Sequence, residues 1–353
     1  MHSGEVIVYV AVPLSGEWAE AGQSALGGVR LAVEEINREG GLLGRRVVVR
    51  AKDDRSDSDA ALAIAREIGQ AIDRGERIAG IIGHIDADAA MSAIPFYEEM
   101  GLVLITPGTG MRSLTHFGYS SIFRINANDS VQAAHSARFL VEQIEAGRVA
   151  VIGVNSECGR ELANLVADSL RGFGAPPAIH VEVEEGQRDY SELAMQIREA
   201  EADAVYFAGS AREAFYLVSS LKAATFREPV LASDGAFLSP VTGGEDGSLE
   251  GLYVSALAPS PERVAEIDWI ETYRVVVRRD PGPFSINGYV AMQVLAAGVR
   301  AANSFKGRAV AQAIRETGAE TPFGPKRFSA NGDWLDSRIW IYRVEEGEFR
   351  QLE

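Results

Sequence analysis

The sequence is short of cysteine, of long apolar runs and of positive charge. Cys158 is the single cysteine in 353 residues, so no disulfide forms within the chain and no cysteine-rich zinc site can be built. The longest apolar run, Val6–Leu14, has nine residues, against about 20 for a membrane-spanning helix. Lys plus Arg number 34 against 50 Asp plus Glu, a formal net charge of −16. A nucleic-acid binder needs a basic footprint to displace counterions, and an anionic membrane surface repels such a chain. The opening Met-His-Ser-Gly runs straight into Glu5 and the first apolar stretch, with no basic segment and no cleavage site. That reads either as a cytoplasmic protein or as one whose signal peptide has been removed and a start residue added.

What is present is an ordinary globular mixture, 46% hydrophobic and 24% charged, which rules out wholesale disorder. The length corresponds to two domains at about 100–200 residues each. Short β-rich runs alternate with stretches of helical periodicity. Strands are expected at 6–12, 46–51, 78–83 and 102–106, with helices over 24–38, from Asp57 to about 74, and over 87–100. Four such units imply a parallel sheet with helices on both faces. A second series follows: helix 129–145, strand 149–154, helix 161–173, strand 179–183, helix 190–199, strand 204–208, helix 211–224 and strand 229–232. Near Val254 the pattern changes to helical stretches over 262–279, 286–303 and 308–317, and then to a β pair at 337–344 and 348–352.

In open parallel sheets ligands sit beyond the carboxyl ends of the strands. The residues at those places are Pro13-Leu14-Ser15-Gly16-Glu17-Trp18, Gly83-His84-Ile85-Asp86-Ala87-Asp88 and Thr106-Pro107-Gly108-Thr109-Gly110 in the first half. In the second half they are Asn155-Ser156-Glu157-Cys158-Gly159, Gly209-Ser210 and Ser233-Asp234-Gly235. Small residues let the backbone approach a ligand and offer N–H groups at helix starts.

In this order the loops resemble those of the leucine/isoleucine/valine-binding family, the type I periplasmic solute-binding proteins of ABC importers. The resemblance rests on PLSG at 13–16, GGVRLAVEEINREGGLLGRRV at 27–47, Asp53-Asp54, IIGH at 81–84 and ITPGTG at 105–110. It continues in DYSELAMQIREAEADAVYFAG at 189–209, GYVAMQVLAAGVRAANS at 288–304 and FSANGD at 328–333. It implies an α/β fold of two Rossmann-like, doubly wound lobes with a ligand cleft between them, joined by crossovers near Asn126, Ala256 and Gly332. Lobe one would be 1–126 plus 257–332 and lobe two 127–256 plus 333–353, closing by hinge motion. It further implies transport through an ABC permease, a small-molecule ligand, no cofactor, a periplasmic or other extracytoplasmic location and a monomer. The ligand contacts it points to are Trp18, Ile85, Asp86, Ala87, Gly108, Thr109, Gly110, Cys158, Ser210 and Asp234.

The departures from the family pattern are informative. Members that bind α-amino acids hold the carboxylate with a Ser after the third strand and a Thr after the fourth. Here those positions are Ala87 and Gly110, with Thr109 one residue early. Two family tyrosines match Cys158 and Ser210, and the acid that takes the ammonium group is matched by Asp234. The expected ligand is therefore small and polar, offering a donor or cation to Asp234 and Asp86, and is not an ordinary branched-chain amino acid. Each feature also has a plainer reading. Trp18 can staple the following helix, Asp86 and Asp88 can cap one, and the Thr109 hydroxyl can satisfy its own loop. A ligand-sensing regulator or receptor ectodomain of the same fold is the alternative function. Enzymatic activity is not expected: Cys158 has no indicated His partner, the five histidines lack metal-ligand spacing, and GTGMRS is not a dinucleotide fingerprint.

Overall fold

The computed structural model describes residues 4–238 and 249–352. The chain divides into two compact units, 1–128 with 258–337 and 129–257 with 338–353. In the first, β1 (Glu5–Val12), β2 (Arg46–Asp53), β3 (Ile78–Gly83), β4 (Leu104–Thr106) and β5 (Ile122–Arg124) form a parallel sheet in the order β2-β1-β3-β4-β5. Helices α1 (Ala19–Arg38), α2 (Ser58–Asp73), α3 (Ala87–Glu99) and the short α4 (Ser113–His116) connect these strands. Val6 to Val12 are buried along their whole length, as a strand covered on both faces requires. Ile7, Tyr9 and Ala11 pack with Ile64, Ile68, Ile94 and Tyr97 of α2 and α3.

The second unit opens with α5 (Asp129–Arg138), prolonged by a π-helical stretch over Phe139–Gln143. Then come β6 (Val149–Val154), α6 (Glu157–Gly172), β7 (Ile179–Val183), α7 (Ser191–Glu199), β8 (Ala204–Ala208), α8 (Ala211–Ala223), β9 (Val230–Ala232) and β10 (Tyr253–Ala256). The chain returns to the first unit for α9 (Pro261–Val264), α10 (Ile267–Val277), α11 (Phe284–Ala302) and α12 (Gly307–Thr317). It ends in β11 (Trp340–Glu345) and β12 (Glu348–Gln351) of the second. The second sheet runs β12-β11-β10-β9-β8-β6-β7, parallel from β10 to β7 and antiparallel where β10, β11 and β12 meet. Numbered within the unit, its parallel strands repeat the 2-1-3-4-5 order of the first sheet. In each sheet the winding reverses beside the first strand, which marks the carboxyl end there as the place for a ligand.

Some elements differ from expectation. The α1 helix starts at Ala19, ahead of Ser24, and the stretch over 262–279 is two helices. Ala265 is extended (φ −96°, ψ 145°), so the turn begun by Pro261 stops and α10 starts afresh to bury Ile270 and Tyr273. Tyr273 reaches α1, where its hydroxyl donates to the Ser24 carbonyl at 3.3 Å. The four-residue β10 was not among the expected strands. The last exchange between units falls after 337 rather than near Gly332: Asp333 stays with the first unit, bonded to Arg124 and Asn128.

Helices α1 and α11 approach closely through a pair of glycines. A Cβ at Gly28 would lie 1.9 Å from the Ser285 carbonyl oxygen, and one at Gly288 2.0 Å from that of Ala25. Both contacts are with backbone, so neither position can take a side chain without separating the helices.

Candidate ligand-binding site

The first-unit loops are held by side chains from neighbouring strands. Asp53, at the end of β2, reaches the loop after β1. Its Oδ1 accepts from the Leu14 amide (2.8 Å) and the Arg55 amide (3.0 Å), and its Oδ2 from the Ser15 hydroxyl (2.6 Å). Burial pushes this carboxyl up, but the bonds from the Ser15 hydroxyl and the Leu14, Arg55 and Ser15 amides outweigh it and hold it below the ordinary carboxylate value. The braced loop ends at Trp18, half-buried at the start of α1.

Asp54, His84 and Tyr97 form a chain with no exposed surface. His84 Nδ1 lies 2.6 Å from Asp54 Oδ2, and Nε2 lies 3.1 Å from the Tyr97 hydroxyl. A carboxylate only accepts, so Nδ1 donates to it. Asp54 Oδ1 accepts from the Ser56 amide at 3.1 Å, and the His84 and Tyr97 rings stack. Burial, then the Asp54 charge, pushes the Tyr97 hydroxyl far up, so it keeps its proton. His84 is thus a core residue that anchors the segment leading into Ile85, Asp86 and Ala87.

The loops after β3 and β4 are stitched together. The Thr106 hydroxyl donates to the His84 carbonyl (2.7 Å), and Thr109 Oγ1 lies 3.0 and 2.9 Å from the carbonyl oxygens of His84 and Ile85. The Gly108 and Thr109 amides both point at Thr106 Oγ1 (3.3 Å). From below, the fully buried Arg124 donates to the carbonyls of Thr109 (2.9 Å) and Met111 (2.8 Å), to Thr115 Oγ1 (2.9 Å) and to Asp333 (2.8 Å). Asn126 adds a bond to the Thr109 carbonyl (3.0 Å), and Asn287 of α11 bonds the Pro107 carbonyl (2.7 Å). Thr109 is 1% exposed, and its amide, hydroxyl and carbonyl are all engaged within this network.

Asp86 caps α3, its Oδ1 accepting from the Ala89 amide at 2.9 Å. It is half-buried. Burial first, then the charges of Asp88 and Asp54, raises its pKa against the bonds from the Ala89 and Asp88 amides. Ala87 follows it, half-buried, while Ile85, Gly108 and Gly110 are buried.

In the second unit Cys158 is the second residue of α6, half-buried, in a turn capped by Ser156. Ser210 caps α8 in a reciprocal box. Its hydroxyl donates to Glu213 Oε2 (2.7 Å), its amide does the same (2.9 Å), and the Glu213 amide returns to its oxygen (3.4 Å). Glu213 Oε1 accepts from the Gly186 amide at 2.7 Å. Asp234 begins a short 3-10 turn after β9 and is half-buried. Its Oδ1 accepts from Gln132 Nε2 of α5 at 2.9 Å. Burial raises the carboxyl, opposed by the bonds from Gln132, its own amide and the Gly235 amide.

The ten expected contacts therefore lie at the carboxyl ends of their own sheets, six of them on the β3 and β4 loops that Thr109 binds together. Asp53, the Asp54–His84–Tyr97 chain, Arg124 and Gln132 were not foreseen as parts of it. Asp53-Asp54 and IIGH were visible as motifs, but nothing in their spacing shows that Asp54 and His84 meet. Arg124 and Gln132 carry no local signal.

Two doubly wound α/β units whose parallel strands share one order, with small-residue loops at the carboxyl ends, define a ligand-binding protein of the type I periplasmic class. The chain belongs to the periplasmic binding protein family, whose model matches residues 7–348; this is a family of solute-binding proteins rather than enzymes. The chain is 26% identical over 339 residues to the leucine-specific-binding protein of Salmonella typhimurium, covering 96% of this chain and 90% of that protein. It is 26% identical over 346 residues to the leucine-, isoleucine-, valine-, threonine- and alanine-binding protein of Pseudomonas aeruginosa, covering 97% and 90%. Among solved structures, an ABC transporter substrate-binding protein from Desulfitobacterium hafniense in complex with Leu matches with a TM-score of 0.83 at 25% identity, covering 99% of this chain and 100% of that one. A leucine-binding protein from Thermotoga maritima shares the fold with a TM-score of 0.84 at 24% identity, covering 99% and 98%.

Proposed function

We propose that this chain is an extracytoplasmic solute-binding protein that delivers a small polar ligand to an ABC importer, and that its ligand is not an ordinary branched-chain amino acid. Family membership supports the transport role. The reading of the ligand rests on one observation: no hydroxyl is on offer where the family grips an α-carboxylate. Position 87 is Ala and position 110 is Gly, and the Thr109 hydroxyl is spent on the carbonyls of His84 and Ile85. Ser210, where the family pattern has a tyrosine, is tied into its helix cap.

The residues proposed to line the ligand site are Trp18, Ile85, Asp86, Ala87, Gly108, Thr109, Gly110, Cys158, Ser210 and Asp234, with Thr109 bracing the two loops rather than offering its hydroxyl. Two of them are carboxylates, so the ligand supplies donors or a cation. A wrong ligand leaves those half-buried acids unpaired, and that loss sets selectivity. A thermal-shift panel of α-amino acids, primary amines, amides, polyols and aromatic acids tests the reading. A ligand at about 100 times its Kd stabilises by about 2.7 kcal/mol. The expected hit is an amine, amide or polyol, with L-leucine silent; strong stabilisation by L-leucine would overturn the ligand class.

A further inference from the structure

Gln132 is a fully buried amide on the inner side of α5, beside Ala133, Ser136 and Ala137. Burying an amide is unfavourable unless its hydrogen bonds are made; among the described residues Gln132 Oε1 has no partner, so it is the Nε2 side that the packing serves. Three oxygens face its Nε2: Asp234 Oδ1 at 2.9 Å, the Ser255 hydroxyl at 3.0 Å and the Ser255 carbonyl at 3.5 Å. That set fixes the orientation of the amide, because a flip would put its oxygen against a carboxylate. Asp234, by contrast, is only half-buried. One of its oxygens faces inward to Gln132, while its residue keeps exposed surface at the carboxyl end of the sheet.

We propose that Gln132 is a positioning residue for the ligand site: its Nε2 clamps Oδ1 of Asp234 and leaves Oδ2 to meet a donor or cation on the ligand. The inference rests on the proposed role of Asp234 as a ligand contact. The other groups around the clamp agree with it. Tyr206 of β8 lies near Asp234 and Asp129, and burial followed by those two charges keeps it protonated. The Ser255 hydroxyl of β10 donates onward to the Ala232 carbonyl at 3.3 Å. The Gln132 side chain and the amides of Asp234 and Gly235 together oppose the burial of the Asp234 carboxyl. A site built this way favours ligands that bring a donor to Asp234 and penalises carboxylates.

The test is a pH titration of the intact protein, carboxyl-labelled with 13C at aspartate, with the Asp234 signal assigned by its loss in Asp234→Asn. Gln132→Leu removes the donor and is expected to raise the Asp234 midpoint by about 1–2 pH units, the size of a hydrogen bond to a charged group. Gln132→Glu keeps the shape and places a second carboxyl against Asp234; the upper midpoint of that pair is expected to rise further, as for carboxyls sharing a site. It also serves if the leucine variant fails to fold. An Asp234 midpoint unmoved in a folded variant would overturn the proposal. Binding of the thermal-shift hit to Asp234→Asn is measured separately. Unchanged affinity there would overturn the ligand role of Asp234, and the midpoints would still report on the clamp.

Discussion

At the residue scale the acids do opposite work. Asp53 is held low by the amides and hydroxyl it binds, whereas Asp86 and Asp234 are raised by burial. A carboxyl raised in the folded state holds its proton to higher pH than in the unfolded chain. Between the two values the folded protein binds more protons, so stability falls as pH rises and the cost is fully present at neutral pH. Asp234→Asn is thus expected to leave the melting temperature at pH 7 unchanged or higher, with the gain vanishing as the pH falls through the carboxylate range. The same variant is expected to weaken binding of the panel hit by about 10–100-fold, the worth of a charge-assisted hydrogen bond, read by isothermal titration calorimetry. His84 behaves differently. His84→Leu removes the side-chain partner of the buried Asp54 Oδ2 and is expected to destabilise the protein by about 1–3 kcal/mol, measured by urea unfolding. The loop positions of Asp86 and Asp234 were legible because placement after a strand is a sequence property. The Asp54–His84–Tyr97 chain was not, because residues 30 and 13 positions apart meet only once β2, β3 and α3 are packed.

At the element scale, what the periodicity shows and what it hides have one cause. Buried parallel strands such as Val6–Val12 read as continuous apolar runs, and long amphipathic helices read by their repeat, so β1, β3, β6, β8 and most helices were visible. β10 (Tyr253–Ala256) was not among the expected strands. The break between α9 and α10 was missed because apolar residues recur at helical spacing on both sides of Ala265. The glycines of α1 and α11 make a sharper point. By propensity alone, Gly288→Ala would stabilise an exposed helix by about 1 kcal/mol. Here the added Cβ meets the Ala25 carbonyl oxygen at 2.0 Å, and overpacking costs about 1–3 kcal/mol or more. Gly288→Ala is expected to lower the urea midpoint; a higher midpoint would show that the two helices can separate freely.

At the scale of the whole molecule, two units repeat one strand order, and family membership covers residues 7–348. The formal charge of −16 keeps such a chain soluble but repels itself, and salt screens that repulsion. Raising sodium chloride from about 10 to about 150 mM, which shortens the screening length from about 30 to about 8 Å, is expected to raise the melting temperature; a fall would mean that attractive ion pairs dominate. The central claim is that the fold is kept while the α-amino-acid grip is replaced by a carboxylate-lined one. Calorimetric titration of L-leucine beside the best amine, amide or polyol from the panel tests it most directly. The account predicts saturable binding of the panel ligand and no measurable heat from millimolar leucine. Tight leucine binding, with no response to the donor-bearing ligands, would contradict it.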